Sequence, residues 1–484
     1  MRGMNEAPSS AAGKQPRNWM PCIIAVGVVA AYCKSLHGAF IFDDVPWILN
    51  NERIRNLWPP TWPQHTSRPV VMFTLALNYA LGGLDVRGYH VINVAIHLAS
   101  AFALYGVVRR TFALVGVPRA NTLAGASALL WAVHPIQTES VTYVVQRAES
   151  LMGLCFLLTL YCVIRGWKLA AIVTCAVGMG TKPTMVVCPL VVLVYDKVFL
   201  SATWGELFWR KWRLHLGLMS TWLVLLVVAG LGWREWLGSA AFDVPDKTVW
   251  SYARSQPPVI LEYLSLSIWP ARLCLLPSTP PLSPAATIGV VALLLVTCVT
   301  MVRYPKAAFP AFWFFATLAP TSSVIPLLHP MFEHRMYLPL AGLAVGVVLV
   351  LQRFRAVVWV IAAALCVATI ARNADYRTEV SILQDTARKA ADNPQAHYGL
   401  ALAFATAGRT EEALESFARA VELKPYFAKA HYDWGLTLYR AGRLAEAADH
   451  FREALRINPD YHAARQNLFV ILREQATGGS GQQP

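Results

Sequence analysis

The chain has 484 residues, of which 56% are hydrophobic and only 14% are charged. Soluble domains carry about 25% charged residues, so this composition excludes an ordinary soluble enzyme and a disordered chain. It indicates a membrane protein with several spans. The formal net charge of +14 does not indicate nucleic-acid binding, because basic residues are typical of the cytoplasmic loops that orient membrane proteins. The nine cysteines form no CxxC or Cys/His cluster, so they indicate neither disulfides nor zinc.

Apolar runs predict about eleven membrane-spanning helices, although several runs are barely long enough to cross a bilayer. The first run follows Arg2, Lys14 and Arg17, and without a small-residue cleavage motif we interpret it as a retained span and not a signal peptide. The predicted spans lie near 20–36, 88–108, 119–134, 148–165, 167–181, 184–200, 214–232, 284–302, 307–326, 336–352 and 356–371.

The charges of the loops predict the orientation of these spans. With the N-terminus inside, the inner loops are basic, as at Arg109 and Arg110, and most acidic residues lie outside; this is the positive-inside pattern. The pattern requires residues 233–283 to remain outside, with 256–273 at the interface or re-entering the membrane, where prolines interrupt it. Eleven spans place the C-terminal domain outside the cytoplasm.

The C-terminal part contains a tandem repeat over residues 394–461. Ala413, Phe417, Ala420 and Pro425 recur 34 residues later as Ala447, Phe451, Ala454 and Pro459. This period and pattern are the tetratricopeptide signature, in which small residues let paired helices cross closely. The predicted fold is therefore all-α, with a polytopic helical bundle followed by a short α-solenoid. We predict a membrane domain at 1–371, a degenerate leading helix or linker at 372–393, repeats with a capping helix at 394–477 and a disordered tail at 478–484.

The first outer loop contains the acidic pair Asp43 and Asp44. Such a pair can supply a general base or hold a divalent cation, and the alternative is a helix cap or a solvated turn. The same loop continues to Arg68. The second span carries His90, Asn93 and His97 on one helical face, where they either contact a ligand or hydrogen-bond to neighbouring helices.

Two further loops combine acidic, basic and imidazole groups. The loop after the third span contains His134 and Glu139 and leads to Arg147 and Glu149, and the loop before the tenth contains Glu333, His334 and Arg335. Arginines bind phosphate with two parallel hydrogen bonds, so their convergence predicts a site for a lipid-linked phosphate. Lys182, in a tight turn, is a further phosphate contact or a snorkelling lysine. Salt bridges that lock the loops together, such as Glu139 to Arg147, are the structural alternative.

The order of these motifs resembles the transmembrane and tetratricopeptide-repeat-containing (TMTC) family over nearly the whole chain. The motifs that carry the resemblance are Phe42-Asp43-Asp44, Ser67-Arg68-Pro69, Gly88-Tyr89-His90, His134-Pro135 to Glu139, Arg147-Ala148-Glu149, Leu318 to Ser322, Glu333-His334-Arg335 and the repeats. That family is similar to protein O-mannosyltransferases and other GT-C glycosyltransferases, which use polyprenyl-phosphate sugars. The resemblance implies a catalytic acidic residue in the first outer loop, here Asp43 or Asp44.

Two departures from the family pattern stand out. The repeat array is short, which bears on how an acceptor is recognised. A Lys-Glu pair that the resemblance implies after the fifth span is Lys182-Pro183 here, and this puts activity in doubt if that glutamate serves the site.

The sequence thus predicts a membrane glycosyltransferase. Its reaction would transfer a sugar, with mannose as a candidate, from a polyprenyl phosphate to a Ser/Thr hydroxyl of a protein bound by the repeats, outside the cytoplasm. The alternatives are a non-catalytic membrane scaffold that docks a partner through its repeats, and a transporter or flippase of lipid-linked sugars. The short array favours a bacterial inner membrane over the endoplasmic reticulum. No cofactor is predicted beyond a candidate divalent cation at Asp43 and Asp44.

Overall fold

A computed structural model describes residues 18–60, 66–232 and 248–478, which form helices and no β-strand. The predicted all-α fold is confirmed. Three sets of predicted features lie outside the described residues: the basic residues Arg2, Lys14 and Arg17, the outer segment 233–247, and the tail from 479 to 484.

We number the α-helices of the described residues in chain order. The membrane domain contains α1 (Met20–Tyr32), α2 (Pro69–Gly82), α3 (Val86–Leu114), α4 (Ala120–Ala132), α5 (Thr138–Thr142), α6 (Arg147–Arg165), α7 (Lys168–Met179), α8 (Cys188–Tyr195), α9 (Trp212–Ser220), α10 (Trp222–Leu231), α11 (Val249–Ile268), α12 (Pro284–Arg303), α13 (Pro305–Leu318), α14 (Pro339–Val350) and α15 (Arg355–Asp375). The C-terminal module contains α16 (Glu379–Lys389), α17 (Pro394–Thr406), α18 (Thr410–Leu423), α19 (Ala428–Arg440), α20 (Leu444–Ile457) and α21 (His462–Gly478).

Seven helical stretches within the described residues are long and apolar enough to cross a bilayer, so the chain is a multi-pass membrane protein. Each coincides with a predicted span. The other four predicted spans are the short helices α4, α7, α13 and α14, of 12 to 14 residues. Helices α4 and α13 stop early because the chain continues as tight polar turns, and these turns carry the motifs of the candidate site.

The outer segment around 256–273 differs in detail from the prediction. Helix α11 runs through Pro257 and Pro258, although proline usually interrupts a helix. Its buried side chains recur at helical spacing, as at Tyr252, Val259 and Tyr263, so packing against the bundle holds the helix together despite the missing amide donors.

The polar motifs gather at one end of the bundle because successive helices alternate in direction. Helix α3 has 29 residues, about 43 Å, with His90 near its first turn and Arg109 near its last. The chain leaves α4 and enters α6 and α14 at the same end as the start of α3. There, Trp131 Nε1 donates a hydrogen bond to the Tyr337 carbonyl at 2.7 Å.

The C-terminal helices pack as antiparallel pairs. Phe417 and Phe451 are fully buried at equivalent positions of the two pairs, beside small alanines. Gly408 and Gly442 have φ of 75° in the turns between paired helices, a left-handed conformation that glycine adopts without steric cost. The repeat predicted from the 34-residue period is therefore present, and α16 precedes it.

Candidate active site

The two acidic residues of the first loop have different environments. Asp43 is solvent-exposed, whereas Asp44 is completely buried. Each Asp44 carboxylate oxygen accepts a backbone amide: Oδ2 from Ile41 at 3.1 Å and Oδ1 from Val145 at 2.7 Å. Asp44 therefore holds the loop to the segment that precedes α6, and Asp43 is the exposed residue of the pair.

The pKa of Asp43 is raised by the protein atoms that surround it and by the nearby carboxylate of Glu139. The Tyr143 side chain and the positive charge of Arg68 act in the opposite direction and lower that pKa. Tyr143 also accepts the backbone amide of Asp43 at 2.8 Å. Burial raises the pKa of Asp44 to about 8, against its two amide hydrogen bonds.

A cationic group lies close to this loop. The Lys182 ammonium forms a buried ion pair with Glu149 near the start of α6. The lysine of Lys182-Pro183 thus pairs with a carboxylate from another segment of the chain. Glu149 and Arg335 line a small cleft together with Thr184 and Thr321, and the buried Thr184 hydroxyl has no partner among the described residues.

Glu139 holds the turn that carries His334 and Arg335. Its Oε2 accepts the His334 backbone amide at 2.8 Å, and its Oε1 lies 2.7 Å from His334 Nδ1. Burial raises the pKa of Glu139 and lowers that of His334. The alternative of a salt bridge from Glu139 to Arg147 is not what the structure shows, because the partner of Glu139 is His334.

Arg335 and Glu333 are also fixed by backbone groups. The Arg335 guanidinium donates to the carbonyls of Pro330 and His329 at 2.7 and 2.6 Å. Glu333 accepts the amide of Cys274, while its Oε2 is buried with no partner among the described residues. Burial raises the pKa of Glu333, and the charge of Arg372 opposes this.

Electrostatic coupling shows how closely these groups converge. Asp43 is influenced by the charges of Arg68 and Glu139, and His334 by those of Lys182, Glu149, Arg335 and Arg68. Groups of opposite charge from five distant stretches of chain therefore share one end of the bundle.

Three predicted ligand-binding residues form hydrogen bonds inside the protein, and their role in ligand binding stays a prediction. Arg147 is completely buried, and its guanidinium donates to Asn93 Oδ1 at 2.6 Å, to the Tyr89 carbonyl at 3.0 Å and to the Thr74 carbonyl at 3.2 Å. The remaining two are histidines. His90 Nε2 contacts the Gly38 carbonyl at 3.3 Å. His134 caps the following turn through Nδ1 and reaches the Ser267 carbonyl through Nε2.

A divalent cation does not fit the acidic pair. Both oxygens of Asp44 face amide donors, which leaves Asp43 as a single carboxylate ligand where such cations prefer several oxygens. No group of three or more candidate metal ligands occurs within 18–60, 66–232 and 248–478.

Comparison with known proteins gives two kinds of match. Residues 380–426 and 428–461 match tetratricopeptide-repeat family models, so the first match includes α16. The chain is 33% identical over 175 residues to protein O-mannosyl-transferase TMTC4 of Homo sapiens. This alignment covers 30% of this chain and 23% of the relative. The chain is 32% identical over 163 residues to protein O-mannosyl-transferase Tmtc3 of Drosophila melanogaster, covering 28% and 18% respectively.

The chain is similar to TMTC proteins over part of its length. The aligned region is longer with human TMTC3, at 28% identity over 239 residues, and covers 42% of this chain and 25% of that relative. The chain thus matches a quarter or less of the length of these TMTC proteins. The crystal structure of ArnT from Cupriavidus metallidurans bound to undecaprenyl phosphate aligns with 90% of this chain and 80% of that chain, at 15% identity and a TM-score of 0.46.

Proposed function

We propose that the protein is a membrane glycosyltransferase that moves a sugar from a polyprenyl phosphate to a protein hydroxyl. The observation that carries this proposal is an exposed acidic residue, Asp43, near the charge of Arg68, which is also a neighbour of the cluster formed by Lys182, His334 and Arg335. A base next to cations suits a reaction that removes a proton from one substrate and leaves a negative phosphate on the other. The relatives named protein O-mannosyl-transferases make mannose the first sugar to test.

Asp43 would act as the general base. A serine or threonine hydroxyl is a poor nucleophile, and the carboxylate takes its proton as the oxygen attacks the anomeric carbon. The bond from that carbon to the phosphate oxygen breaks with its electron pair on the phosphate. One such displacement inverts the anomeric centre, and Asp44 and Tyr143 keep the base in position through their hydrogen bonds.

The cations would bind the phosphate of the donor and stabilise it as it leaves. Arg68, Lys182 and Arg335 are the candidate cations, and the imidazole of His334 is a candidate hydrogen-bonding group beside them. Glu139 and Glu333 position the turn that carries His334 and Arg335. The membrane-spanning helices beside the cleft leave the lipid tail in the bilayer. Because the basic residues Arg109 and Arg110 lie at the far end of α3, the positive-inside rule supports a site on the extracytoplasmic face.

The acceptor would approach between the repeat module and the membrane domain. A polar cleft of about 480 Å³ lies there, lined by residues 277–279, 328–331 and 392–395 and by Lys424. It shares residues His329 and Pro330 with the hydrogen bonds of Arg335. An extended polypeptide suits such a cleft and the concave faces of the repeats.

Transfer by the purified protein in lipid nanodiscs tests the proposal. The donors are undecaprenyl and dolichyl phosphates that carry radiolabelled mannose, and the acceptor is a pooled library of Ser/Thr-containing peptides. Label in the peptide fraction supports the enzyme. Movement of labelled lipid between leaflets of proteoliposomes without transfer identifies a flippase. If the protein shows neither transfer nor lipid movement, the non-catalytic scaffold is the interpretation that stands.

Removing the Lys182–Glu149 ion pair is expected to weaken donor binding. The double variant K182M/E149Q avoids leaving one buried charge alone, and it should raise the KM for the donor lipid by about tenfold or more, the effect of a lost charged hydrogen bond. The acceptor KM should remain unchanged. The exposed Lys168 gives the control K168M, which removes the same charge outside the site and should leave the donor KM unchanged. An unaltered donor KM in the double variant would contradict this role of Lys182.

The pH dependence of transfer is expected to report Asp43. Activity should be present above the folded-state pKa of Asp43 and fall as pH drops through it, with a midpoint above the ordinary 3.8 because the surroundings raise that pKa. Since Arg68 lowers the pKa of Asp43, R68Q should move the midpoint to higher pH. The exposed Arg53 provides the control R53Q. A profile of kcat/KM against pH with R68Q shifted downward would exclude this assignment.

A further inference from the structure

Helix α16 supports the loop that presents Asp43. The Phe42 backbone has φ of 46°, a left-handed conformation that is uncommon for a residue with a bulky side chain. The Phe42 amide donates a hydrogen bond to Glu379 Oε1 at 3.0 Å, and Glu379 is the first residue of α16. A contact between residues 337 positions apart therefore holds the residue that precedes the proposed base.

Three successive amides of the loop have different acceptors. Asp44 accepts the amide of Ile41, and Tyr143 accepts that of Asp43. Both of these acceptors belong to the membrane domain. Glu379 accepts the amide between them, so the C-terminal module supplies one of the three bonds that fix the loop.

The other end of α16 holds the second half of the site. Thr386 Oγ1 accepts the Leu275 amide at 3.2 Å, and Lys389 Nζ donates to the Leu273 carbonyl at 2.9 Å. Between them, the Cys274 amide donates to Glu333. The last turns of α16 therefore fix the segment that binds Glu333, next to His334 and Arg335.

A buried ion pair ties α16 to the last helix of the membrane domain. Asp385 Oδ2 lies 2.6 Å from Arg372 Nη1 and 2.8 Å from Lys389 Nζ. The Arg372 and Asp385 side chains are both nearly excluded from solvent. Breaking such a buried pair is costly, so α16 is held firmly against the membrane domain.

We propose that α16 is a positioning element of the active site, with Glu379 holding the Asp43 loop through the Phe42 amide. The inference rests on the proposed function for its catalytic meaning, while the contact itself is independent of it. The leading helix of the repeat module has 11 residues and is about 16 Å long at the rise of an α-helix. It contacts the acidic loop near its start and the segment that binds Glu333 near its end.

Substitution of Glu379 tests the proposal in the full-length protein in nanodiscs. E379A removes the acceptor and should speed hydrogen exchange of the Phe42 amide by about fivefold, read by fragmentation that resolves single amides. E379Q keeps a carbonyl oxygen and should restore protection. The exposed Glu415 of α18 gives the control E415A, which should change nothing.

Kinetics separate positioning from general stability. E379A should lower kcat with little change in the KM of either substrate, and E379Q should recover it. Unchanged exchange in E379A, or E379Q behaving like E379A, would overturn the proposal. If the wild-type protein transfers no sugar while exchange follows the expected order, the proposed function fails and the positioning contact stands.

Discussion

Replacing Asp43 with Asn should lower kcat for sugar transfer by about 10²- to 10⁴-fold, the contribution of a general base. The thermal midpoint should hardly change, because the carboxylate is exposed and Asn has nearly the same shape. Initial rates with labelled donor and thermal unfolding of the same preparation measure the two effects.

Two variants make this result specific. E52Q removes an exposed acid from the same loop and should transfer normally. D44N should lower the thermal midpoint, because the Asn amide cannot accept the two buried backbone amides that Asp44 accepts. Normal transfer by D43N, or loss of transfer that tracks loss of folded protein, would contradict a catalytic role for Asp43.

The regular part of the fold could be predicted from the sequence. Spans follow from runs of apolar residues, and the repeats follow from one period. Where helices stop inside an apolar run could not be predicted, because tertiary contacts decide it. Helix α4 ends at Ala132. The side chain of the preceding residue, Trp131, forms a buried hydrogen bond with Tyr337, which lies more than 200 positions away in the sequence.

The composition of the site was partly predictable, but the role of each residue was not. Asp43 and Asp44 are adjacent, and only the folded loop decides which carboxylate meets the amides of Ile41 and Val145. Arg147 and Glu149 are two residues apart on α6, so their side chains point about 200° apart. Nothing in the motif tells which of them faces Lys182.

Two site residues escaped the sequence analysis altogether. Tyr143 lies among apolar residues and resembles a packing aromatic, although its hydroxyl accepts the Asp43 amide. Glu379 begins a helix, where an acidic residue is expected for the helix dipole alone. In both cases the signal is a contact with the first loop across at least 100 residues, which one sequence does not contain.

Arg147 should matter for stability more than for chemistry. R147M keeps a long apolar side chain but leaves Asn93 Oδ1 and the carbonyls of Thr74 and Tyr89 without their donor. Each buried acceptor left unsatisfied costs about 1–3 kcal/mol, so the variant should lose on the order of 3 kcal/mol or more. Thermal unfolding in nanodiscs measures the loss as a lower midpoint.

The exposed Arg87, near the start of α3, gives the matched control R87M, which removes the same charge from the surface and should leave the midpoint unchanged. Folded R147M that remains should bind donor with the wild-type KM, because the guanidinium faces α2 and α3 and not the cleft beside Arg335. A stable R147M with a raised donor KM would return Arg147 to the phosphate site and would require its side chain to leave all three acceptors when the lipid binds.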